Sequence, residues 1–246
     1  MKWLLILILI LSLSPHADCQ YMHYTVAQNV PLFTQKNELR LSASTGTENY
    51  GFQAAYAFSK SFAITGSYSY GSTFDNSNRN SWEFEVGYFK KFKDSIIFEI
   101  YGGAGRYHRD FQTWNDALAG SLPPDTFRTN CTEPYVQFDL GIPGNGRHCF
   151  SISGRYGYLF YDHFHSFHAG VNPNAPYGPV YSTTNHASTK PTTAVCITYR
   201  LGGKKLSFQA QAGLSGADPV SYYDTGGDFF INVGLSLKLF GEQKIN

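Results

Sequence analysis

From Phe229 onward the chain sorts its side chains by parity. Phe229, Ile231, Val233, Leu235, Leu237 and Leu239 are apolar, while Asn232, Gly234, Ser236 and Lys238 between them are polar or small. Successive side chains of a β-strand point to opposite faces. Such a segment therefore needs an apolar environment on one face and water or polar partners on the other. The same alternation recurs in ten stretches, which predict strands near 37–45, 49–58, 61–70, 80–90, 95–107, 133–142, 148–161, 191–201, 205–214 and 228–240.

The connections alternate as well. Ser59-Lys60, Phe92-Lys93-Asp94, Pro143-Gly144-Asn145-Gly146 and Gly202-Gly203-Lys204 are tight turns rich in Gly, Pro or Lys, and they follow the even-numbered strands. Longer polar loops, at 71–79, 108–132, 162–190 and 215–227, follow the odd ones; only the first hairpin, Thr45 to Glu48, is short on that side. A soluble β-sandwich also alternates but has no reason to sort its loops by end. A membrane barrel does, and an even strand count leaves both termini on the short-turn side. The predicted fold class is thus all-β: a transmembrane antiparallel up-and-down β-barrel of about ten strands, eight or twelve being the alternatives.

Aromatic residues make up 17% of the 246-residue chain and charged residues only 15%, which suits strands bearing aromatic belts and argues against a soluble helical fold. A formal net charge of +1 supplies no nucleic-acid footprint. After residue 20 no apolar run approaches the roughly 20 residues of a spanning helix. The N-terminal run does not either: Lys2 and then the apolar stretch Trp3 to Leu13 read as an export signal. Cys19, followed by Gln20, stands where a bacterial lipoprotein signal places its lipid-accepting cysteine, although His16 and Asp18 depart from the usual pattern; ordinary cleavage near Ala17 to Cys19 is the alternative. The expected organisation is a signal peptide over 1–19, a periplasmic linker over 20–36, the barrel over 37–240 and a tail over 241–246.

In this phase Phe52, Tyr56 and Phe58; Phe62, Ile64 and Tyr68; Trp82, Phe84, Val86 and Tyr88; Ile96, Phe98 and Ile100; Val136, Phe138 and Leu140; Phe150, Ile152 and Tyr156; Val195, Ile197 and Tyr199; and Phe208, Ala210 and Ala212 face lipid. No charge falls on that face in mid-strand, where an Arg or Lys would cost about 2–4 kcal/mol. Membrane lipids are the expected surroundings.

The segment from Cys19 through Tyr24, with Asn29-Val30-Pro31-Leu32-Phe33 and Lys36-Asn37-Glu38, resembles the start of a family of Bacteroidetes outer-membrane β-barrel proteins, many of them lipoprotein-like. Gln53-Ala54-Ala55-Tyr56-Ala57-Phe58, Tyr101-Gly102-Gly103-Ala104-Gly105 and Asn232-Val233-Gly234-Leu235 are similar to the same family. The resemblance implies an outer-membrane barrel and carries no activity, cofactor or catalytic residue. The stretch Asn232 to Phe240 is also similar to the C-terminal signal read by the barrel-insertion machinery, with six residues following Phe240.

Inward phase places Arg40, Glu83, Glu85, Glu99, Asp139, Arg155, Arg200 and Lys238 in the lumen, the acids on strands four to six and the bases on seven, eight, ten and one. Buried charges must be paired, and a barrel of this size is nearly filled by its own side chains. The expectation is an acidic wall paired with a basic wall across a closed lumen. A narrow diffusion pore with a transverse field is the alternative. Glu83 and Glu85 share a face, a spacing suited to acid–base work, but no nucleophile or positioned histidine stands beside them, so a lipid-modifying enzyme ranks below the pore. His163, His165 and His168 could offer imidazoles to a metal, although nothing completes a ligand set; they read better as membrane-interface residues. No cofactor is expected. Cys131 and Cys149 belong at opposite ends of their strands, too far apart to bridge, whereas Cys149 and Cys196 could pair if the register allowed. The long loops could hold an extracellular ligand, and the lysines at the short turns could meet anionic headgroups. The function expected from sequence is a non-enzymatic structural or surface-interaction barrel.

Overall fold

The computed structural model describes residues 27–46, 49–72, 78–92, 96–113, 125–143, 147–171, 179–185, 189–203, 205–217 and 228–239. Its elements are β1 (Leu39–Gly46), β2 (Tyr50–Tyr56), β3 (Phe62–Ser72), β4 (Asn78–Phe92), β5 (Ile96–Thr113), β6 (Asp125–Pro143), β7 (His148–Val171), β8 (Pro179–Asn185), β9 (Thr189–Gly202), β10 (Leu206–Ala217) and β11 (Asp228–Leu239). Every pairing is antiparallel, and the sheet closes because β1 pairs with β11 and β6 with β7. β8 is paired only with the upper part of β7 (His165↔Asn185), directly beyond the stretch where β7 pairs with β9 (Phe160↔Thr189). β8 and β9 thus occupy one position around the wall, and the closed barrel has ten strands.

Parity governs the wall throughout. Phe229 is 62% exposed on the outside, and its neighbour Phe230 is 4% exposed on the inside. All the long apolar side chains expected to face lipid lie outward. The outward row on β4 runs Asn80, Trp82, Phe84, Val86, Tyr88, Lys90, and that on β7 runs from His148 through Phe150, Ile152, Tyr156 and Phe160 to Asp162. A tilted spanning strand needs about 9–11 residues, and these apolar rows between polar ends have that length. The outside is an apolar belt with no charge in its middle, as a transmembrane barrel requires.

The strands on one side are much longer than a membrane demands. β5 has 18 residues, β6 has 19 and β7 has 24. Much of what reads as polar loop at 108–132 and 162–190 is therefore strand, projecting beyond the belt at the long-connection end. On the outward face the change from apolar to charged comes where Arg106 meets Asp162 at 2.6 Å and, farther up, where Arg128 meets Asp110 at 2.9 Å. From that level upward charged residues occupy the outward face, so the apolar–polar alternation no longer marks a strand.

Candidate functional site

The lumen wall is of two kinds. On β10, β11, β1, β2 and β3 the inward residues are mostly small or uncharged: Ser207, Gln209, Gln211, Gly213, Ser215; Asn232, Gly234, Ser236; Ser42, Ser44; Gly51, Gln53, Ala55; Ala63, Thr65, Ser67, Ser69. On β4 to β7 they include most of the large and charged ones, interspersed with glycines such as Gly103, Gly105 and Gly141. The bulky half fills its own share of the interior. The small half leaves room, and the chain's own N-terminal segment occupies it.

Residues 27–33 run inside the barrel, all of them buried, Val30 and Phe33 at 0% exposure. This corrects the expectation of a periplasmic linker over 20–36: its described part begins in the lumen. Phe33 packs with Ala55, Ala57, Ala63, Phe89 and Tyr101 near the short turns. Val30 and Leu32 pack with Ile97 and Cys149, and Gly141 leaves the space that Leu32 fills, since a Cβ there would lie 2.5 Å from the leucine side chain. From Phe33 back to Ala27 the segment rises from the turn end into the barrel. Below Phe33 the chain reverses through Gln35, Lys36 and Asn37, whose positive φ of 60° is tolerable for asparagine. Asn37 N–H then donates to Ala57 O at 2.7 Å, which starts β1.

Polar side chains of the wall bind the backbone of this segment. Gln53 Nε2 donates to Ala27 O (2.7 Å), Gln211 Nε2 to Gln28 O (3.1 Å) and Gln137 Nε2 to Asn29 O (2.8 Å). Arg200 donates to Val30 O through Nη2 and to Pro31 O through Nη1 (3.1 Å), and Arg40 Nη2 donates to Leu32 O (3.1 Å). In the other sense, Leu32 N–H and Phe33 N–H donate to the two oxygens of Glu99 at 2.9 and 2.6 Å. Leu32 has φ 56°, a left-handed conformation that costs an ordinary residue about 1–2 kcal/mol. That conformation turns two successive N–H groups toward one carboxylate, an anion-binding nest, and the charge-assisted bonds offset its cost.

At the turn end Glu38, fully buried and just ahead of β1, accepts from Arg40 Nε at 2.6 Å and pairs with Lys238 Nζ at 3.0 Å. Burial pushes the Glu38 carboxyl up, but the two cations beside it outweigh burial and hold it below its ordinary value. Above the segment Arg155 reaches across from β7. Its Nη1 meets Glu83 at 2.7 Å and its Nη2 lies 3.4 Å from Glu85, while its guanidinium stacks on Tyr135 at 3.9 Å from the ring centroid. Tyr107 donates to Glu83 and Tyr135 to Glu85, both at 2.7 Å. Gln137 joins the two layers: its Oε1 accepts from Arg155 (3.0 Å) while its Nε2 binds the segment. Higher still, Tyr107, Cys131, Leu159 and Tyr161 form an apolar layer, and Thr192 donates to Glu133.

The expected pairing of an acidic and a basic wall is therefore realised at one place only. Arg155 bridges the lumen to Glu83 and Glu85. Glu99 holds the N-terminal segment, Asp139 accepts from Gln137 at 3.1 Å, Arg200 is used on the segment and on Gln209, and Arg40 and Lys238 share Glu38. Geometry explains the difference: with a peptide between the walls, most charges meet its backbone before they can meet each other. The Cys149–Cys196 pairing that hung on the register is not formed, and both are free thiols, as is Cys131. Their register partners show why, for Cys149 pairs with Arg200 and Cys196 with Ser153, several residues apart along the barrel. Cys19, Phe240 and the side chains of His163, His165 and His168 lie outside the described residues. Among the described residues no group of three or more His, Cys, Asp or Glu is placed to hold a metal ion.

The fold and its interior define a class: a transmembrane β-barrel occupied from within by its own N-terminal segment. No known protein family and no curated protein sequence matches the chain. Among solved structures it is similar to the translocator domain of the autotransporter NalP from Neisseria meningitidis, at 12% identity and a TM-score of 0.45 over 81% of this chain and 87% of that one. It is also similar to the N-terminal β-barrel domain of Pseudomonas aeruginosa OprF, at 12% identity and a TM-score of 0.35 over 84% of this chain and 100% of that one. A third is the KdgM porin, at 11% identity and a TM-score of 0.34 over 82% and 99%.

Proposed function

We propose that the protein is an outer-membrane barrel of a Gram-negative bacterium that does not conduct, and that it serves a structural or surface-interaction role. The observation that carries this reading is the burial of residues 27–33 in the lumen, with the Arg155–Glu83–Glu85 bridge closing the space above. The apolar belt and the N-terminal export signal support the membrane and the compartment. The sheet of β5 to β8, extended past the belt, is the surface offered to an extracellular ligand. Lipidation of Cys19, as in the Bacteroidetes proteins the sequence resembles, and recognition of Asn232 to Phe240 by the insertion machinery belong to the same proposal. The role is read as non-enzymatic because Glu83 and Glu85 are both engaged by Arg155 and by tyrosine hydroxyls, which leaves neither carboxylate set aside for proton transfer. Purified protein in a planar bilayer is expected to show no stepwise conductance. Regular channel openings would overturn the closed lumen and favour a narrow pore.

A further inference from the structure

Six consecutive carbonyls, from Ala27 to Leu32, each accept a hydrogen bond from a side chain of the wall, supplied by Gln53, Gln211, Gln137, Arg200 and Arg40. The side chains of the segment are treated differently. Gln28 Oε1 accepts only a thiol hydrogen bond, from Cys196 Sγ at 3.2 Å, the amide nitrogens of Gln28 and Asn29 are buried without a hydrogen-bond partner among the described residues, and Ala27 has nothing to offer. Three glutamines on three strands and two arginines thus read peptide backbone, which every sequence possesses. Side-chain shape enters mainly below, where Val30, Leu32 and Phe33 fill apolar pockets. Had the wall been shaped to this sequence, a buried amide without a partner would cost about 1–3 kcal/mol and would not be kept twice.

We propose that the lumen is a binding sleeve for an extended polypeptide, with residues 27–33 as its resident occupant. The ligand class is a peptide of about seven residues ending in a bulky aliphatic and an aromatic residue, its first three positions limited by the size of their buried side chains more than by their polar groups. This rests on the reading of 27–33 as the lumen's occupant and goes further in making the site one that accepts other chains.

The test uses the folded full chain carrying a specific protease site inserted between Gln35 and Lys36, cut in detergent after folding so that the segment becomes a separable peptide. Fluorescein-labelled peptide of residues 27–34 is then added and binding followed by anisotropy, with heat-modified electrophoretic mobility reporting the intact barrel. The native peptide and one carrying Gln28→Ala and Asn29→Ala are expected to bind with Kd values within about threefold of each other. Gln53→Leu and Gln211→Leu in the wall are expected to weaken both peptides about tenfold. Binding of the native peptide alone, or of neither, would overturn the sleeve. Conductance of the cut protein reports separately on closure: a cut barrel that conducts but rebinds no peptide retains the closed-lumen reading and loses the sleeve.

Discussion

Arg155→Leu removes the cation that crosses the lumen to Glu83 and Glu85. Glu83 and Glu85, at 4% and 1% exposure, would then share a buried site without their counter-charge. Breaking a buried pair on one side costs about 3–5 kcal/mol, because the remaining charge stays desolvated. Loss of the stack on Tyr135 adds about 0.5–1 kcal/mol. Against this, Glu83 retains Tyr107 and Ser67 as donors and Glu85 retains Tyr135 and Thr65, so the total belongs near the lower end, about 3 kcal/mol. The triple variant Arg155→Leu, Glu83→Gln, Glu85→Gln leaves no buried charge, and in each new amide the oxygen can accept from one of the two hydroxyls while the other hydroxyl turns to accept from Nε2–H; it is expected to fall within about 1 kcal/mol of the original. Urea unfolding in detergent micelles, followed by the fluorescence of Trp82 on the lipid face, measures both. A single-variant loss below about 1 kcal/mol, the size of an exposed pair, would refute the bridge. So would a triple variant no more stable than the single one.

Gly141→Val puts a side chain where Leu32 sits; a loss of about 1–3 kcal/mol from overpacking and the appearance of bilayer conductance are expected. Gly154→Val, at a position where an added Cβ meets nothing within 4 Å, is its neutral control in the same unfolding assay. Phe138→Arg on the outward face of β6 is expected to destabilise by about 2–4 kcal/mol in lipid, measured by unfolding from bilayers; a neutral result would remove that strand from the membrane. Glu38 precedes the spanning strand and has its carboxyl held below the ordinary 4.5. Its contribution to stability is therefore complete above about pH 4.5 and lost as pH falls through the depressed folded value. Unfolding midpoints between pH 6 and pH 3 should lose part of their acid slope in Glu38→Gln, and an unchanged slope would show that Glu38 is not the group responsible.

The strands and their outward faces were legible because lipid on one side imposes a parity that every spanning residue must obey. The same rule placed Arg155, Glu83 and Glu85 inside and anticipated their contact. It was silent above the belt, where the outward face of β5, β6 and β7 no longer meets lipid and carries Arg106, Asp162 and Arg128. It was silent again on Val30-Pro31-Leu32-Phe33, since a peptide inside a barrel meets wall on all sides and has no parity to show. A signal for that segment nevertheless existed. Arg200, Gln209 and Gln211 point inward on strands with no acid among them, and the inward residues of the neighbouring β11 and β1 to β3 are mostly Ser, Gly, Ala and other small types that leave space unfilled. Glu38 escaped notice although it falls within the strand predicted over 37–45 and shares the inward parity of Arg40, two residues on.

The residues that fill the lumen precede every strand of the wall, yet several of their partners lie far along the chain: Gln28 is bound by Gln211, 183 positions later, and Pro31 by Arg200, 169 positions later. Contacts of such separation form late. The segment is also tethered to β1 by only a few residues, and β1 must find β11 to close the wall. Closing and filling are therefore coupled in time, with the barrel assembling around its own beginning. Until that moment a polar face bearing Arg200, Gln211 and Glu99 stands open beside an apolar one. Substitutions within 27–33 should consequently register first as delayed maturation in the membrane, before any leak through the finished barrel.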